Sequence, residues 1–333
     1  MAILTTLIRH LSARFSSPVD ILASGAWTRP LLEGQPGVGD LYVVSSRKRP
    51  YWFSLEQQQL ARRLRARGSS ATWLCDEGER NLKTRWLLRR AGWSPQQICE
   101  YNFAPGPHMC ELFLRFAYCS PAVVAAERET LRQTGAYSQL VVNDRQRSEL
   151  DQWLASHGWS QRPIVLLQFG NKRTMRPGLR QRSSNTKYWP EQNWAAVLQG
   201  LRARRADHLL LLLGVPQEAA LNDDILRLAR IEGAFNIAND ASLPRLMALA
   251  ERAQGMISVD TGPAHVAAAV GCSIVTLFGK VDPGLYAPRG PKGHVTCLTG
   301  QVNGEPSMLG ITPEQVLAAW DALMEKMAAA AMR

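Results

Sequence analysis

The residues best placed to do chemistry form a single polar turn, Asp260-Thr261-Gly262, between two apolar segments. Residues 256–259 before it have the pattern of a buried strand, and residues 263–270 after it predict a short helix that begins at Pro263 and ends before Gly271. The N-terminus of a helix offers free N–H groups and a partial positive charge, both of which attract anions. The turn is therefore a candidate phosphate site, although a well-capped structural helix with nothing bound fits the same three residues.

Two further polar loops follow predicted strands in the second half of the chain, residues 186–190 and residues 214–218. Ligands in open α/β sheets bind beyond the carboxyl ends of the strands, so we expect the three loops to meet at one sheet edge. There Lys187 would offset the charge of a diphosphate, and Glu218 would accept hydrogen bonds from two ribose hydroxyls. Each residue taken alone is more simply a surface residue, but their coincidence at three strand ends favours a nucleotide site.

The elements that must position these loops alternate between helix and strand along the whole chain. In the first half, the predicted helices are residues 3–15, 57–67, 83–91, 108–118 and 144–157, and the predicted strands are residues 19–23, 41–44, 72–75 and 139–142. In the second half, the predicted strands are residues 164–169, 209–213, 256–259, 273–278 and 295–298, and the predicted helices are residues 194–204, 218–231, 243–253, 263–270 and 312–330. This alternation predicts an α/β fold with two domains, residues 1–155 and 156–333.

Composition narrows the class of protein. The chain has 333 residues, a net charge of +11 and six scattered cysteines without metal-ligand spacing, so we expect anionic partners, a reducing cytoplasmic compartment and no bound metal. No apolar run approaches the length of a membrane span, and no secretory signal opens the sequence. The arginines of residues 61–67 read as the solvated face of a helix, and nothing but charge supports nucleic-acid binding.

Several familiar motifs are missing from the sequence. It contains no GxGxxG, GxxxxGK[ST], GxSxG or HExxH motif, which argues against dinucleotide oxidoreductases, P-loop kinases, serine hydrolases and zinc proteases. A lone histidine beside a Pro-Gly-Pro turn, His108, is interpreted as structural rather than as facing a cleft.

Two motifs resemble the signature of one enzyme family. The run Ser258-Val-Asp-Thr-Gly-Pro-Ala-His265, followed by Leu277-Phe-Gly-Lys-Val-Asp-Pro283, resembles glycosyltransferase family 9, the bacterial lipopolysaccharide heptosyltransferases. Residues 186–190, Thr-Lys-Tyr-Trp-Pro, together with Trp194 resemble that family's Lys-x-Trp-Pro-x-x-x-Trp element, and residues 17–37 resemble its second strand and helix. The resemblance thus covers nearly the whole chain.

The resemblance implies a GT-B architecture, with an acceptor-side Rossmann-like domain followed by a donor domain facing it across a cleft. It implies inverting transfer of heptose from ADP-heptose, without a cofactor or metal, to an anionic lipopolysaccharide precursor at the inner membrane face. The implied donor site comprises two groups of residues. Thr186, Lys187 and Glu218 would meet the diphosphate and nucleoside, and Asp260, Thr261, Gly262, Pro263 and His265 would line the phosphates and sugar.

The sequence departs from the family pattern at its start. The family's first strand and the Gly-Asp loop that follows it precede a helix resembling residues 3–15, and the Asp of that loop is the expected general base. We therefore expect a strand and the base upstream of Met1; otherwise the chain is a non-catalytic or altered relative. A glycosyltransferase that uses another nucleotide sugar is a further alternative. The basic loop of residues 171–185 would touch donor or acceptor phosphates, or is simply a surface insertion.

Overall fold

The computed structural model describes residues 2–45, 51–76, 79–101, 106–124, 135–171 and 185–331. The chain divides into two compact units, one of which is Leu4–Ala136 and the other mainly Tyr137–Arg333. This boundary precedes the helix at Asp144–Ser156, whereas the sequence-based boundary fell near that helix's end. The helix belongs with the second unit because the Trp153 indole donates a hydrogen bond to the Asp240 carboxylate at 2.7 Å.

Helices and short parallel strands alternate in the Leu4–Ala136 unit. The helices are α1 (Thr5–Phe15), α2 (Thr28–Leu32), α3 (Leu55–Arg67), α4 (Glu79–Arg90) and α5 (Met109–Ala117), and the strands are β1 (Val19–Ser24), β2 (Val38–Val44), β3 (Thr72–Leu74) and β4 (Ile98–Glu100). Strand β1 pairs with β2, and β3 pairs with β4, both in parallel. Helix α1 packs on α5, where Arg14 donates to the carbonyls of Ala117 at 2.9 Å and Cys119 at 3.0 Å.

Two sequence interpretations in this unit are confirmed. His108 is 2% exposed and is the N-cap of α5, where its Nδ1 accepts the N–H of Cys110 at 3.1 Å. The arginines of α3 are exposed, whereas its apolar residues Leu60, Ala61 and Leu64 pack in the core. Both features are therefore structural, as the residue patterns indicated.

The second unit is built around one parallel sheet of six strands. Its helices are α6 (Asp144–Ser156), α7 (Glu191–Arg204), α8 (Ala219–Ala229), α9 (Leu243–Arg252), α10 (Gly262–Ala269), α11 (Pro283–Tyr286) and α12 (Pro313–Ala331). The strands are β5 (Ile164–Gln168), β6 (Leu209–Leu212), β7 (Ala234–Asn236), β8 (Gly255–Val259), β9 (Ile274–Phe278) and β10 (Val295–Thr299), in the order β10-β9-β8-β5-β6-β7. Their aliphatic runs suit a sheet covered on both faces, since all residues of β5, β6, β8 and β9 are buried.

Local signals set several element ends in this unit. Ser242 caps α9 by accepting the N–H of Arg245, and Thr312 with Gln315 forms a capping box before α12, with Thr312 N donating to Gln315 Oε1 at 2.8 Å. Trp189 and Trp194, each 1% exposed, pack edge to face with ring centroids 4.6 Å apart and fix the start of α7 to the core. The predicted α/β fold is therefore confirmed.

Several short segments differ from the sequence-based expectation, among them strand β4, which was not predicted. Residues 139–142 form no strand; the N–H of Leu140 bonds instead to the carbonyl of Ala269 at the end of α10, at 2.8 Å. The edge strand β7 and a small antiparallel hairpin, β11 (Gln301–Val302) with β12 (Glu305–Pro306), were not predicted. Short, partly exposed strands carry too little hydrophobic periodicity to be seen in sequence.

Candidate functional site

Polar side chains gather where three neighbouring strands of the large sheet end. Strand β5 lies between β8 and β6, so the loops that follow all three strands leave the same carboxyl edge. Asp260 directly follows β8, Gln168 ends β5, and Glu218 lies in the short 3₁₀ turn Pro216–Glu218 after β6. The polar residues therefore lie along one sheet edge, where Lys187 contacts Asp260 and Glu218 contacts Gln168.

The central contact is an ion pair between Lys187 and Asp260. The Lys187 ammonium donates to the Asp260 carboxylate oxygen Oδ2 and, at 2.9 Å, to the Asp260 backbone carbonyl. The second carboxylate oxygen, Oδ1, lies 3.6 Å from His265 Nε2. The Asp260 side chain is 7% exposed and that of Lys187 is 30% exposed, so the carboxylate lies beneath the ammonium. Two of the three ammonium N–H groups are used by Asp260, which fixes the position of the cation.

Opposing effects set the protonation of Asp260. Burial favours the neutral acid, but the neighbouring His265 side chain and the hydrogen bond and charge of Lys187 outweigh it, and the pKa of Asp260 lies below its ordinary value. Nearby on β10, burial and then the charge of Asp260 raise the pKa of Cys297 to about 11. At neutral pH Asp260 is thus ionised and the Cys297 thiol is neutral.

A network of amides holds the backbone on both sides of Lys187. The N–H of Lys187 donates to Asn185 Oδ1 at 3.1 Å, and Asn171 Nδ2 donates to the Lys187 carbonyl at 3.4 Å. Asn185 Nδ2 donates to Asn171 Oδ1 at 3.2 Å, which joins the two amides. Sequence reasoning missed both asparagines because an amide in a loop belongs to no periodic pattern. Asn-x-Lys, with the amide two residues before the cation, was the one available signal.

Thr186 is placed by a close backbone contact. A Cβ added to Gly279 would lie 2.0 Å from the Thr186 carbonyl oxygen, so only glycine permits this approach. Gly279 directly follows β9, within the motif of residues 277–283. The loop carrying Lys187 is therefore held against the next loop of the same sheet edge.

The N-terminus of α10 is open. Thr261 occupies the N-cap position, but its side chain makes no capping hydrogen bond; its Oγ1 instead lies 3.5 Å from Ser258 Oγ. Pro263 occupies the first turn, and a Cβ built on Gly262 would meet no atom within 4 Å. The Thr261 side chain thus does not cap the first backbone N–H groups of α10, and open space lies beside Gly262. Such a helix end can receive an anion.

Glu218 is buried, and two hydrogen bonds hold its carboxylate through one oxygen, Oε2. Its Oε2 accepts the N–H of Val215 at 3.0 Å and Gln168 Nε2 at 3.3 Å. Burial raises the pKa of Glu218, against the opposing effect of these two hydrogen bonds. Gly214, at φ +157°, leaves 3.2 Å between its would-be Cβ and the Glu218 carboxylate. Gln168 was not predicted; it links the β5 end to the Glu218 loop.

Three further expectations concern the basic loop, a metal site and membrane-spanning helices. The basic residues of the long loop, including Lys172, Arg173 and Arg176, lie outside the described residues. In the part of the chain that the structure describes, no three His, Cys, Asp or Glu side chains form a group that would hold a metal ion. Among the helices so described, none is both long and apolar enough to cross a bilayer.

A parallel sheet with a fixed cation and an open helix N-terminus at its carboxyl edge defines a class of nucleotide- or phosphate-binding α/β proteins. Comparison with known proteins narrows the class: the model of glycosyltransferase family 9 (heptosyltransferase) matches residues 122–308. This match covers more than half of the chain. The chain belongs to glycosyltransferase family 9 and is a glycosyltransferase.

Individual relatives agree with this assignment. The chain is 23% identical to lipopolysaccharide heptosyltransferase 2 of Escherichia coli K12, over 96% of this chain and 93% of that protein. It is 32% identical to heptosyltransferase 1 of Salmonella typhimurium, but that alignment covers only 35% of each protein.

Solved structures show the same fold. The structure of E. coli ADP-heptose lps heptosyltransferase II matches with a TM-score of 0.71 at 20% identity, over 98% of this chain and 96% of that chain. A glycosyl transferase family 9 structure from Veillonella parvula matches with a TM-score of 0.76 at 17% identity, over 98% of this chain and 93% of that chain. The fold is therefore GT-B, as the sequence resemblance implied.

Proposed function

We propose that this chain transfers a heptose from ADP-heptose to an anionic lipopolysaccharide inner-core acceptor, with inversion, on the cytoplasmic side of a membrane. The observation that carries the proposal is the Lys187 ammonium, which Asp260 fixes at the sheet edge. The names of the relatives support the donor and the acceptor, since several are lipopolysaccharide heptosyltransferases.

The proposed donor site divides into two parts. Lys187 and the N-terminus of α10, at Thr261, Gly262 and Pro263, receive the diphosphate, because both present positive charge and N–H donors. Glu218 receives the ribose hydroxyls, since its carboxylate is held in place by Val215 and Gln168. His265 is proposed to lie beside the sugar, on the far side of Asp260 from Lys187.

The reaction explains why a fixed cation matters. As the acceptor hydroxyl attacks the anomeric carbon, the bond from that carbon to the phosphate oxygen breaks, and negative charge grows on the departing ADP. A cation already in position stabilises that charge without reorganisation. The acceptor's proton must pass to a base. Asp260 is poorly suited to accept it, because its lowered pKa and its pairing with Lys187 favour the ionised, already bonded carboxylate, so we assign the base to a residue outside this cluster.

Transfer assays test the proposal directly. With ADP-heptose and a Kdo-bearing lipid acceptor, we expect release of ADP and formation of a heptosylated product by the unmodified chain. Lys187→Ala and Asp260→Ala should each lower kcat/KM by about 10²–10³-fold, as loss of a transition-state charge partner does. Lys326→Ala, an exposed lysine on α12, is the matched control and should leave the rate unchanged. Unaltered rates in both site variants would remove the assignment of the donor site, and transfer from a different nucleotide sugar alone would replace the donor.

A further inference from the structure

A group of large apolar side chains is exposed on the Leu4–Ala136 unit. The group comprises Trp52, Phe53, Leu55, Leu82 and Trp86, which we call the aromatic patch. Their exposed fractions are 63%, 81%, 75%, 64% and 38%, respectively. Exposed apolar residues that occur singly need no explanation, but a contiguous group of this size marks an interaction surface.

The patch spans the 3₁₀ turn Tyr51–Phe53, the first residue of α3 and part of α4, and ring contacts join its two tryptophans. Trp52 and Phe53 lie in the 3₁₀ turn Tyr51–Phe53 that leads into α3, and Trp86 lies on α4 one turn after Leu82. The rings of Trp52 and Trp86 are 6.5 Å apart, and the Tyr51 ring lies 5.6 Å from the first and 5.0 Å from the second. The 3₁₀ turn and α4 therefore present one surface, and Phe53 and Leu55 adjoin Trp52 along the chain.

The guanidinium group of Arg90 stacks on the exposed tryptophan rings and holds them in place. The Arg90 guanidinium lies over Trp52 at 4.5 Å and over Trp86 at 4.6 Å from the ring centroids. Meanwhile the inner faces of α3 and α4 already pack in the core through residues such as Leu60 and Leu87. The patch is thus an outward surface held in shape, separate from the core.

The surroundings of the patch are basic. Residues 51–90 contain nine Lys or Arg and four Asp or Glu. Arg62 on α3, and Lys83 and Arg89 on α4, are exposed on the same two helices as Leu55, Leu82 and Trp86. The patch combines a large apolar surface, tryptophan and tyrosine rings, and cations at its margin. This composition is typical of proteins that lie on bilayers, because the rings enter the membrane interface and the cations bind lipid phosphates.

We propose that the aromatic patch is a membrane-docking surface whose partner is an anionic phospholipid bilayer. A second copy of this chain fits less well, because the basic margins of two copies would repel each other. The proposal deepens the proposed function and rests on it for its purpose, because a lipid-linked acceptor lies at a membrane. The binding itself needs neither donor nor acceptor.

The test is co-sedimentation of the full chain with vesicles that contain no acceptor. Vesicles of phosphatidylcholine with roughly one-third phosphatidylglycerol should bind the chain, and pure phosphatidylcholine should bind it several-fold less well. The double variant Phe53→Ser/Leu55→Ser should lose roughly tenfold or more of the partition coefficient, since each side chain gives up apolar contact with the bilayer. The control Val302→Ser/Leu309→Ser removes two apolar side chains, 40% and 54% exposed, from the other unit and should bind like the unmodified chain.

Further measurements separate this proposal from its rivals. The Phe53→Ser/Leu55→Ser chain should keep its thermal unfolding midpoint and its transfer rate on a soluble, delipidated acceptor, because both side chains are outside the core. Equal vesicle binding by the variant and the unmodified chain overturns the proposal, as does failure of the unmodified chain to bind anionic vesicles at low salt. A change of oligomeric state in the variant without loss of vesicle binding would reassign the patch to contacts between copies. If the unmodified chain binds anionic vesicles but transfers no sugar, only the proposed function is refuted.

Discussion

Replacing Lys187 with methionine isolates the role of its charge. Methionine keeps the length of the stem but removes the ammonium that bonds to Asp260 Oδ2 and to the Asp260 carbonyl. Among the described residues, the Asp260 carboxylate, 7% exposed, then keeps only His265 nearby as a side-chain partner. The substitution therefore leaves a buried charge that is largely unpaired.

The size of the effect follows from burial. Removing one partner of a fully buried ion pair lowers the free energy of unfolding by about 3–5 kcal/mol. Lys187 is 30% exposed, so water screens the pair, and we expect the free energy of unfolding at neutral pH to fall by about 1–3 kcal/mol.

The loss should depend on pH with a definite sign. In the unmodified chain the pKa of Asp260 is lowered in the folded state, so the ion pair contributes stability above the unfolded pKa of about 4 and loses it as the pH falls through the folded pKa. In Lys187→Met, burial persists without the ammonium, and the pKa of Asp260 rises. The difference in stability between the two chains should thus be largest at neutral pH and should close in acid.

Chemical denaturation at several pH values measures this difference. Lys326→Met, which removes an exposed lysine from α12, is the control and should track the unmodified chain throughout. Activity should fall by about 10²–10³-fold at every pH at which the variant is folded. A stability difference that does not change between neutral and acid pH would refute the buried-pair reasoning, even if activity is lost.

Three further predictions concern single contacts. Gly279→Ala should lower the free energy of unfolding by about 1–3 kcal/mol and reduce transfer, because its Cβ would lie 2.0 Å from the Thr186 carbonyl; a variant as stable and active as the unmodified chain in denaturation and transfer assays would contradict this contact. Glu218→Gln should gain stability relative to the unmodified chain as the pH rises, since the folded pKa of Glu218 is raised, yet it should raise the KM for the donor about tenfold or more; an unchanged KM would remove the ribose role. Ser242→Ala should cost about 1 kcal/mol in thermal or chemical unfolding through loss of the cap to Arg245, with no change in KM.

The large sheet was predictable because its strands are long enough to show a pattern. The aliphatic runs now seen as β5, β6, β8 and β9 are buried on both faces, and a polar loop follows each of them in the sequence. The three residues of β7 have partly exposed side chains and give no such signal. Exposed and buried residues alternate at 139–142 as in a strand, but the backbone there hydrogen-bonds to the end of α10 through Leu140 and not to a sheet edge. Tertiary contacts decided these cases.

The site was predictable to the level of loops but not of contacts. Strand-end position was enough to single out Lys187, Glu218 and Asp260, since parallel topology brings carboxyl ends together. It did not reveal that Asp260 would turn inward to hold Lys187, because pairing between loops depends on backbone paths that no local pattern encodes. Asn185 and Gln168, which position Lys187 and Glu218, were missed for the same reason.

A buried carboxylate in a site proposed for a diphosphate needs a physical explanation. Asp260 repels an incoming anion and is costly to bury, so its presence is justified by what it does to Lys187. The flexible stem of a lysine allows many positions, but two hydrogen bonds to Asp260 hold the Lys187 ammonium in one of them. The described residues take up only these two of its three N–H groups. Because the Lys187–Asp260 pair carries no net charge, its attraction for a diphosphate must come largely from the fixed orientation of the ammonium N–H group rather than from net charge alone. The uncapped N-terminus of α10, immediately after Asp260, adds the remaining N–H donors from a rigid element. The arrangement therefore favours an anion whose charge develops at a fixed place, as in bond cleavage, over any anion that merely approaches.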